Sequence, residues 1–316
     1  MQICYTDVLF PNIDWDADKI IIRTNSKLNL LELADDNYNF HKLYLSFLKN
    51  GYMLYYHFEE QSFFIKRKSI SRLWHRQDIL KFKDLFYTLE SPSMYREGEE
   101  NNLVVVFSSM PIQDNTISSN IAKRCFFKNY PSLTSHLIPN TYVIRIMDCN
   151  LIYGSYYLNT SNYPDYEKQI QDFIEMISYQ IKIEHQRVVL YGISKGGTGA
   201  LYHSLLGDYH SVSVDPLFSL TKYIKEGDSH FTKNFFPEKL TPLFQRVINT
   251  ANSTNSKIII GVPKITENYQ EYVHLKGQSL KIVDIHDQNL VEHGQIGSNT
   301  MIEQVTYING ILLGEI

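Results

Sequence analysis

The sequence predicts an α/β fold: a mostly parallel sheet with helices on both faces, preceded by an N-terminal α+β extension. From Leu103 onward, short apolar runs rich in β-branched residues alternate with stretches of helical periodicity, a pattern typical of parallel sheets covered on both faces. A glycine-rich turn at 192–196 joins one such run to a helix, and the first 98 residues lack the alternation. We therefore predict an N-terminal α+β module at 1–98 and an α/β domain at 99–316.

The N-terminal module contains local patterns of both kinds. Lys19–Arg23 predicts a strand, Asn39–Leu48 a helix with one apolar side, and the alternation within 52–66 a hairpin. The charged and aromatic segment 72–87 predicts a further helix. The basic residues between 66 and 76 either face an acidic polymer or form an ordinary solvated surface.

The second part of the chain predicts six strands with helices between them. The predicted strands are 103–107, 142–147, 188–191, 211–214, 257–260 and 280–285, and the predicted helices are 117–130, 166–183 and 300–313. Residues 221–254 predict a helical, aromatic insertion that could lie over the site as a cap. Since ligands bind at the carboxyl ends of the strands in such sheets, the functional residues are expected in the loops there.

The turn Gly192–Gly196 reads G-x-S-x-G between a predicted strand and a predicted helix. Such a turn presents the serine hydroxyl above the carboxyl edge of the sheet, and its flanking positions need residues without bulk. Alternatively, Ser194 merely caps the helix. The strand before it and the helix after it favour Ser194 as a nucleophile.

A serine nucleophile needs a general base, usually a histidine held in its tautomer by a carboxylate. His293 follows the last predicted strand and precedes the closing helix, so we predict it as the base, ahead of His286 and His274. The expected chain order is serine, acid, histidine.

The acid is predicted at Glu267, the first carboxylate after the strand 257–260. Asp215, one strand earlier, is the alternative acid; otherwise it is a turn residue before Pro216. An oxyanion hole needs two donors, and we expect the backbone N–H groups of Lys195 and Ser109. The Lys195 side chain either faces solvent or attracts an anionic substrate or a cofactor phosphate.

The charge, the cysteine content and the apolar runs of the chain exclude some classes of function. The net charge of −4 shows no polyanion-binding signature, so no nucleic-acid partner is expected. The three cysteines are scattered singly, without metal-ligand spacing, which predicts no metal site and a reducing compartment. Without a signal-like N-terminus or an apolar run approaching ~18 residues, we expect a cytoplasmic protein with no membrane span.

The segment Tyr191–Leu201 resembles the elbow of bacterial capsular polysaccharide O-acetyltransferases of the α/β-hydrolase fold, of the meningococcal serogroup A type. Val105–Pro111, Asp148 with the following 154–157 block, and the His293-Gly294 loop resemble further blocks in the same order. The resemblance covers roughly 103–316. The N-terminal module is more similar to capsule-locus proteins of the XcbB/CpsF type, and the elbow also resembles the glycan O-acetyltransferase of accessory Sec systems.

The resemblance implies transfer of an acetyl group from acetyl-CoA, through an acetyl-serine at Ser194, to a hydroxyl of a capsular or other surface polysaccharide. His293 would be the base and Tyr156 and Tyr157 would bind substrate. The acceptor is expected to be anionic, with the capsule biosynthesis machinery as a partner. One departure lies in the acid loop, where VPKIT separates a glycine from Glu267.

Two other functions share these residues. A serine esterase or deacetylase would use the same triad with water as the acceptor. A non-enzymatic partner in capsule assembly is the third interpretation.

Overall fold

The computed structural model describes residues 2–73, 77–251 and 253–316; the side chains of Thr266 and Glu267 lie outside this description. The strands are β1 (Ile3–Asp7), β2 (Lys19–Arg23), β3 (Tyr52–Phe58), β4 (Gln61–Lys66), β5 (Leu80–Phe82), β6 (Leu85–Glu90), β7 (Asn102–Phe107), β8 (Thr141–Ile146), β9 (Val188–Ile193), β10 (His210–Val214), β11 (Lys257–Gly261) and β12 (Leu280–Asp284). The helices are α1 (Leu30–Asp36), α2 (Tyr38–Lys49), α3 (Ile121–Cys125), α4 (Tyr166–Gln180), α5 (Lys195–Gly207), α6 (Thr221–Lys225), α7 (Thr241–Thr250), α8 (Thr266–Tyr272), α9 (His293–Asn299) and α10 (Met301–Leu312).

An eight-stranded sheet with the order β12-β11-β10-β9-β7-β8-β6-β5 forms the centre of the molecule. The strands β7 to β12 run parallel to one another. Successive side chains of a strand point to opposite faces: Val105 packs into one apolar core with α4, whereas Val104 and Val106 pack into another with α10. Helices on both faces thus bury every residue of β7, as the sequence predicts.

A second sheet, with the order β1-β2-β4-β3, lies in the N-terminal part together with α1 and α2. Its apolar face, including Ile20 and Phe64, shares a core with Leu151, Ile152 and Phe231 from the second part of the chain. The small sheet therefore packs on loops that follow β8 and on the predicted cap region.

The predicted division at 98/99 does not separate the two sheets. Strands β5 and β6 precede it, yet β6 pairs antiparallel with β8 and extends the large sheet. The helix predicted at 72–87 is wrong for the same reason, because Leu85 and Tyr87 pack against α4 as members of this sheet. Residues 74–76, part of that segment and of the basic run, lie outside the described residues.

Two other local predictions need correction. The helix predicted at 117–130 is only the short α3. In the basic run, Arg67 is half-buried: its guanidinium lies 3.5 Å from the centre of the Tyr163 ring and donates to the carbonyl oxygen of Asn162 at 3.2 Å. Among the helices that the structure describes, none is long and apolar enough to cross a membrane.

Candidate active site

Ser194 occupies a tight turn between β9 and α5. Its backbone has φ 56° and ψ −122°, a conformation with positive φ that costs energy for a non-glycine residue and is typical of functional turns. The turn is closely packed: a Cβ on Gly192 would lie 2.2 Å from the carbonyl carbon of Gly196, and a Cβ on Gly196 would lie 2.1 Å from the carbonyl oxygen of Phe107. Only glycine fits both positions, so the motif is required sterically.

His293 contacts the serine directly. Its Nε2 lies 2.8 Å from Ser194 Oγ, and its Nδ1 lies 2.6 Å from Asp215 Oδ2. Asp215 is 1% exposed, whereas the imidazole is 29% exposed. The three side chains form a serine–histidine–carboxylate chain in which the imidazole can take the serine proton and Asp215 can hold the Nδ1 proton.

The carboxylate that contacts His293 Nδ1 is that of Asp215, the predicted alternative acid. The reason is topological: β10 lies directly beside β9, so the residue after β10 lies beside the serine turn. Glu267 lies in α8, after β11, one strand further from the serine. Its side chain is outside the described residues.

Helix α8 nevertheless contributes to the site through residues that the sequence analysis did not name. Tyr272 donates its hydroxyl to Asp215 Oδ1 at 2.6 Å, and Asn268 Nδ2 lies 3.3 Å from Asp215 Oδ2. Burial, and then the nearby Asp215 charge, raise the pKa of Tyr272, so its hydroxyl remains a donor. The spacing i, i+4 places both side chains on one helix face, which is the signal that could have identified them.

Asn268 Nδ2 also lies 3.0 Å from His293 Nδ1. Both atoms are donors when the Nδ1 proton points to Asp215, so this contact is not a hydrogen bond in that tautomer. The 2.6 Å distance between Nδ1 and Asp215 Oδ2 decides in favour of this tautomer. His293 Nε2 is then unprotonated and can accept the serine proton.

The expected oxyanion donors have different surroundings. Lys195 is the first residue of α5, so its N–H has no acceptor within the helix. The N–H of Ser109 instead donates to Asn129 Oδ1 at 2.9 Å. The loop after β7 does lie against the serine turn, since Gly196 packs on the backbone of Phe107 and Ser108. Ser109 would have to break its bond to Asn129 before donating to an oxyanion.

The Lys195 side chain neither faces solvent nor reaches toward a substrate. It is fully buried, and its Nζ donates to Asp148 Oδ2 at 3.1 Å and to the carbonyl oxygen of Tyr153 at 2.8 Å. Both alternatives in the sequence analysis are therefore wrong. A buried ammonium is stable only when a charge and further hydrogen bonds compensate it, as here.

The tyrosines predicted to bind substrate are buried instead. Tyr156 is 1% exposed and Tyr157 is 0% exposed. The Tyr157 hydroxyl lies 2.5 Å from the backbone nitrogen of Ser108 and 2.9 Å from the carbonyl oxygen of Ile146. Their rings pack inside the protein, so they offer no face to a sugar.

A cavity of about 340 Å³ opens beside His293. Helix α6 of the predicted cap region lines it with Thr221, Lys222 and Lys225, and α8 lines it with Glu271. Glu271 pairs with Lys239 at 3.6 Å. Lys225 adds a positive charge to the wall, which attracts an anionic group. Within the described part of the chain, no cluster of three or more histidine, cysteine or carboxylate side chains could hold a metal ion.

Comparison with solved structures identifies the fold. The capsule O-acetyltransferase of Neisseria meningitidis serogroup A superimposes with a TM-score of 0.50 at 16% identity, over 74% of this chain and 94% of that chain. A mutant of that enzyme in complex with CoA gives 0.52 at 16% identity, over 77% and 99%. The chain has the α/β-hydrolase fold.

A longer protein chain shares this core. A chain of the Glycosylation Associate Protein complex from Streptococcus agalactiae gives a TM-score of 0.53 at 16% identity, over 75% of this chain and 46% of that chain. No family model and no curated protein sequence matches this chain. At such identities the similarity establishes the fold alone.

Proposed function

We propose that the protein is an O-acetyltransferase that moves an acetyl group from acetyl-CoA, through an acetyl-serine, to a hydroxyl of a capsular or other surface polysaccharide. The single observation that carries the proposal is the hydrogen-bonded chain Ser194–His293–Asp215 at the carboxyl edge of the sheet. A complete triad on a strained turn argues against a non-enzymatic role, because backbone strain of this kind clusters at active sites.

In the first half-reaction, Ser194 Oγ attacks the thioester carbonyl carbon while His293 Nε2 takes the hydroxyl proton. The negative charge that develops on the carbonyl oxygen is stabilised by the N–H of Lys195 and by a second donor from the loop after β7. The C–S bond then breaks, His293 returns the proton to the leaving sulfur, and the serine is left acetylated.

In the second half-reaction, His293 removes the proton from the acceptor hydroxyl, and the resulting oxygen attacks the acetyl-serine. The serine leaves with the proton from His293, which restores the free enzyme. Water in place of the sugar would give a hydrolase with the same residues. The acceptor must therefore compete with water at the site.

Two observations support transfer and an anionic substrate group. The structural relatives include a capsule O-acetyltransferase and its complex with CoA. The cavity beside His293 is bordered by Lys225, whose charge suits a phosphate of the donor or an acidic group of the acceptor. Acetyl-CoA as donor would place the reaction in the cytoplasm, with the capsule biosynthesis machinery as the supplier of acceptor.

The proposal is tested by mixing purified protein with acetyl-CoA and measuring intact mass, for wild type, Ser194→Ala and His293→Ala. We expect one added acetyl group on the wild type and none on Ser194→Ala. Ser298→Ala, which changes an exposed serine on the helix that begins with His293, is the matched control and should keep the adduct.

The other outcomes separate the alternatives. Cleavage of simple acetyl esters without transfer to any polysaccharide would indicate an esterase or deacetylase. A folded wild-type protein that neither acquires an acetyl group nor reacts with a serine-directed phosphonate would refute the enzymatic proposal.

A further inference from the structure

A buried chain of hydrogen bonds links the serine turn to the loop after β7. Lys195 Nζ donates to Asp148 Oδ2 at 3.1 Å, and the same oxygen lies 3.3 Å from the backbone nitrogen of Tyr157. The Tyr157 hydroxyl in turn accepts from the N–H of Ser108 at 2.5 Å. Lys195, Asp148 and Tyr157 are each 0% exposed, and Ser108 is 2% exposed. The two backbone segments expected to supply oxyanion donors are therefore joined through the protein interior.

Asp148 is the centre of this chain. Besides Lys195 and Tyr157, its carboxylate accepts from the backbone N–H of Ser155 at 3.1 Å and from the hydroxyl of Tyr166 at 3.1 Å. A buried carboxylate with this many donors has a fixed position. It therefore fixes both the Lys195 side chain and the backbone that carries Tyr157.

The direction of the hydrogen bonds at Tyr157 is determined as well. Burial raises the pKa of its hydroxyl far above the ordinary range, so the group keeps its proton. That proton is donated to the carbonyl oxygen of Ile146 at 2.9 Å. The oxygen remains free to accept the N–H of Ser108, a buried donor that would otherwise lack a partner.

The backbone around Tyr157 is held in an unfavourable conformation. Tyr156 and Tyr157 have φ values of 58° and 62°, a region that bulky residues rarely adopt. Strain of this kind persists where the surroundings over-determine a position, and it clusters at functional sites. The Asp148 carboxylate supplies that constraint by binding the N–H of Tyr157.

Two glycines leave room for these side chains. A Cβ on Gly199 would lie 2.5 Å from Tyr157 Cδ2, and a Cβ on Gly154 would lie 2.1 Å from Asp148 Cγ. Gly199 belongs to α5, the helix that follows Ser194. The Tyr157 ring therefore rests directly on the nucleophile helix while its hydroxyl holds the loop after β7.

We propose that Asp148 and Tyr157 are positioning residues that preorganise the oxyanion hole of the acyl-transfer site. They fix the loop after β7 relative to the N–H of Lys195, and the N–H of Ser109 donates to the oxyanion once it leaves Asn129 Oδ1. Hydrogen-bond donors stabilise a transition state well only when their positions are set in advance. This inference rests on the proposed function, because an oxyanion forms only if Ser194 attacks a carbonyl group.

Tyr157→Phe tests the proposal with little change in packing, because it keeps the ring on Gly199 and removes only the hydroxyl. Tyr163→Phe is the matched control: Tyr163 is 1% exposed, and its hydroxyl donates to Gln169 Oε1 at 2.8 Å, away from the loop. With p-nitrophenyl acetate, we expect kcat of Tyr157→Phe to fall by about 10–100-fold with KM unchanged. Tyr163→Phe should keep the wild-type kcat.

A second measurement does not depend on activity. Amide hydrogen exchange in a peptide covering 103–112 should be faster in Tyr157→Phe than in Tyr163→Phe, because the N–H of Ser108 loses its acceptor. Asp148→Asn should also lower kcat, and the double variant with Tyr157→Phe should lose less than the product of the two single effects.

Unchanged exchange in Tyr157→Phe would overturn the proposal whatever the activity. Faster exchange with an unchanged kcat would also overturn it, since the network would then be structural only. If the wild type neither cleaves the ester nor reacts with a serine-directed phosphonate, the proposed function fails instead. In that case, the rate of amide hydrogen exchange in the peptide 103–112 still shows whether Tyr157 holds the loop.

Discussion

Replacing Asp215 by asparagine should remove most of the activity while the fold is retained. Tyr272 is a donor to Asp215 Oδ1, so the oxygen of the introduced amide would turn to Tyr272 and the amide NH₂ group would turn to His293. An NH₂ group cannot accept the Nδ1 proton. The imidazole would therefore carry its proton on Nε2, which could no longer accept from Ser194.

The expected loss follows from this tautomer change. The Nδ1–Oδ2 distance of 2.6 Å indicates a strong, charge-assisted bond to a carboxylate that is 1% exposed. The same acid-to-amide change in a serine protease triad lowers kcat by about 10⁴-fold, which corresponds to about 5.5 kcal/mol in activation free energy. We expect a loss of this order in kcat for Asp215→Asn.

The assay is steady-state cleavage of p-nitrophenyl acetate by wild type, Asp215→Asn and Glu267→Gln, with thermal unfolding of each protein as the control for folding. Glu267→Gln should keep the wild-type kcat. The assignment of the acid would be refuted if Glu267→Gln lost as much activity as Asp215→Asn, or if folded Asp215→Asn kept wild-type activity.

Three further measurements address stability and substrate binding. Lys195→Met leaves a buried carboxylate without its cation and should lower the unfolding free energy in urea by about 3–5 kcal/mol, whereas Lys233→Met, at an exposed position, should change it little. Burial raises the pKa of Glu90, but bonds from Arg145 and other neighbours outweigh this and lower it to about 2. The resulting stabilisation is present above the ordinary pKa of 4.5 and is lost as the pH falls toward 2. In Glu90→Gln, the unfolding free energy should therefore fall less steeply than in the wild type as the pH falls over that range. The difference should be smaller than the full pKa shift implies, because Glu90 is partly exposed. An unchanged pH dependence would contradict this. Lys225→Gln should lower kcat/KM for acetyl-CoA or for an acidic acceptor, more at low salt, without affecting p-nitrophenyl acetate; equal effects on all substrates would contradict an anion-binding role.

The sequence alone determined the features that depend on local pattern. Continuous apolar runs such as Leu103–Phe107 identified the buried parallel strands, because a strand covered on both faces has no polar side. The serine turn was found because its steric demands require glycine at fixed positions. His293 followed from chain order, since the fold places a base after the last strand.

Only the tertiary structure decided which side chains meet across the sheet. Asp215 contacts His293 because β10 is the neighbour of β9, and strand order is not encoded in any local stretch. The Lys195 side chain is buried because its ammonium pairs with Asp148, which is distant in sequence but lies beside it in the interior. Likewise, the resemblance predicts Tyr157 as a substrate-binding residue, whereas a strained backbone turns its ring inward, where it contacts the loop after β7. Periodicity and motif spacing report the neighbours of a residue along the chain, whereas burial and pairing are decided by segments that the fold brings together.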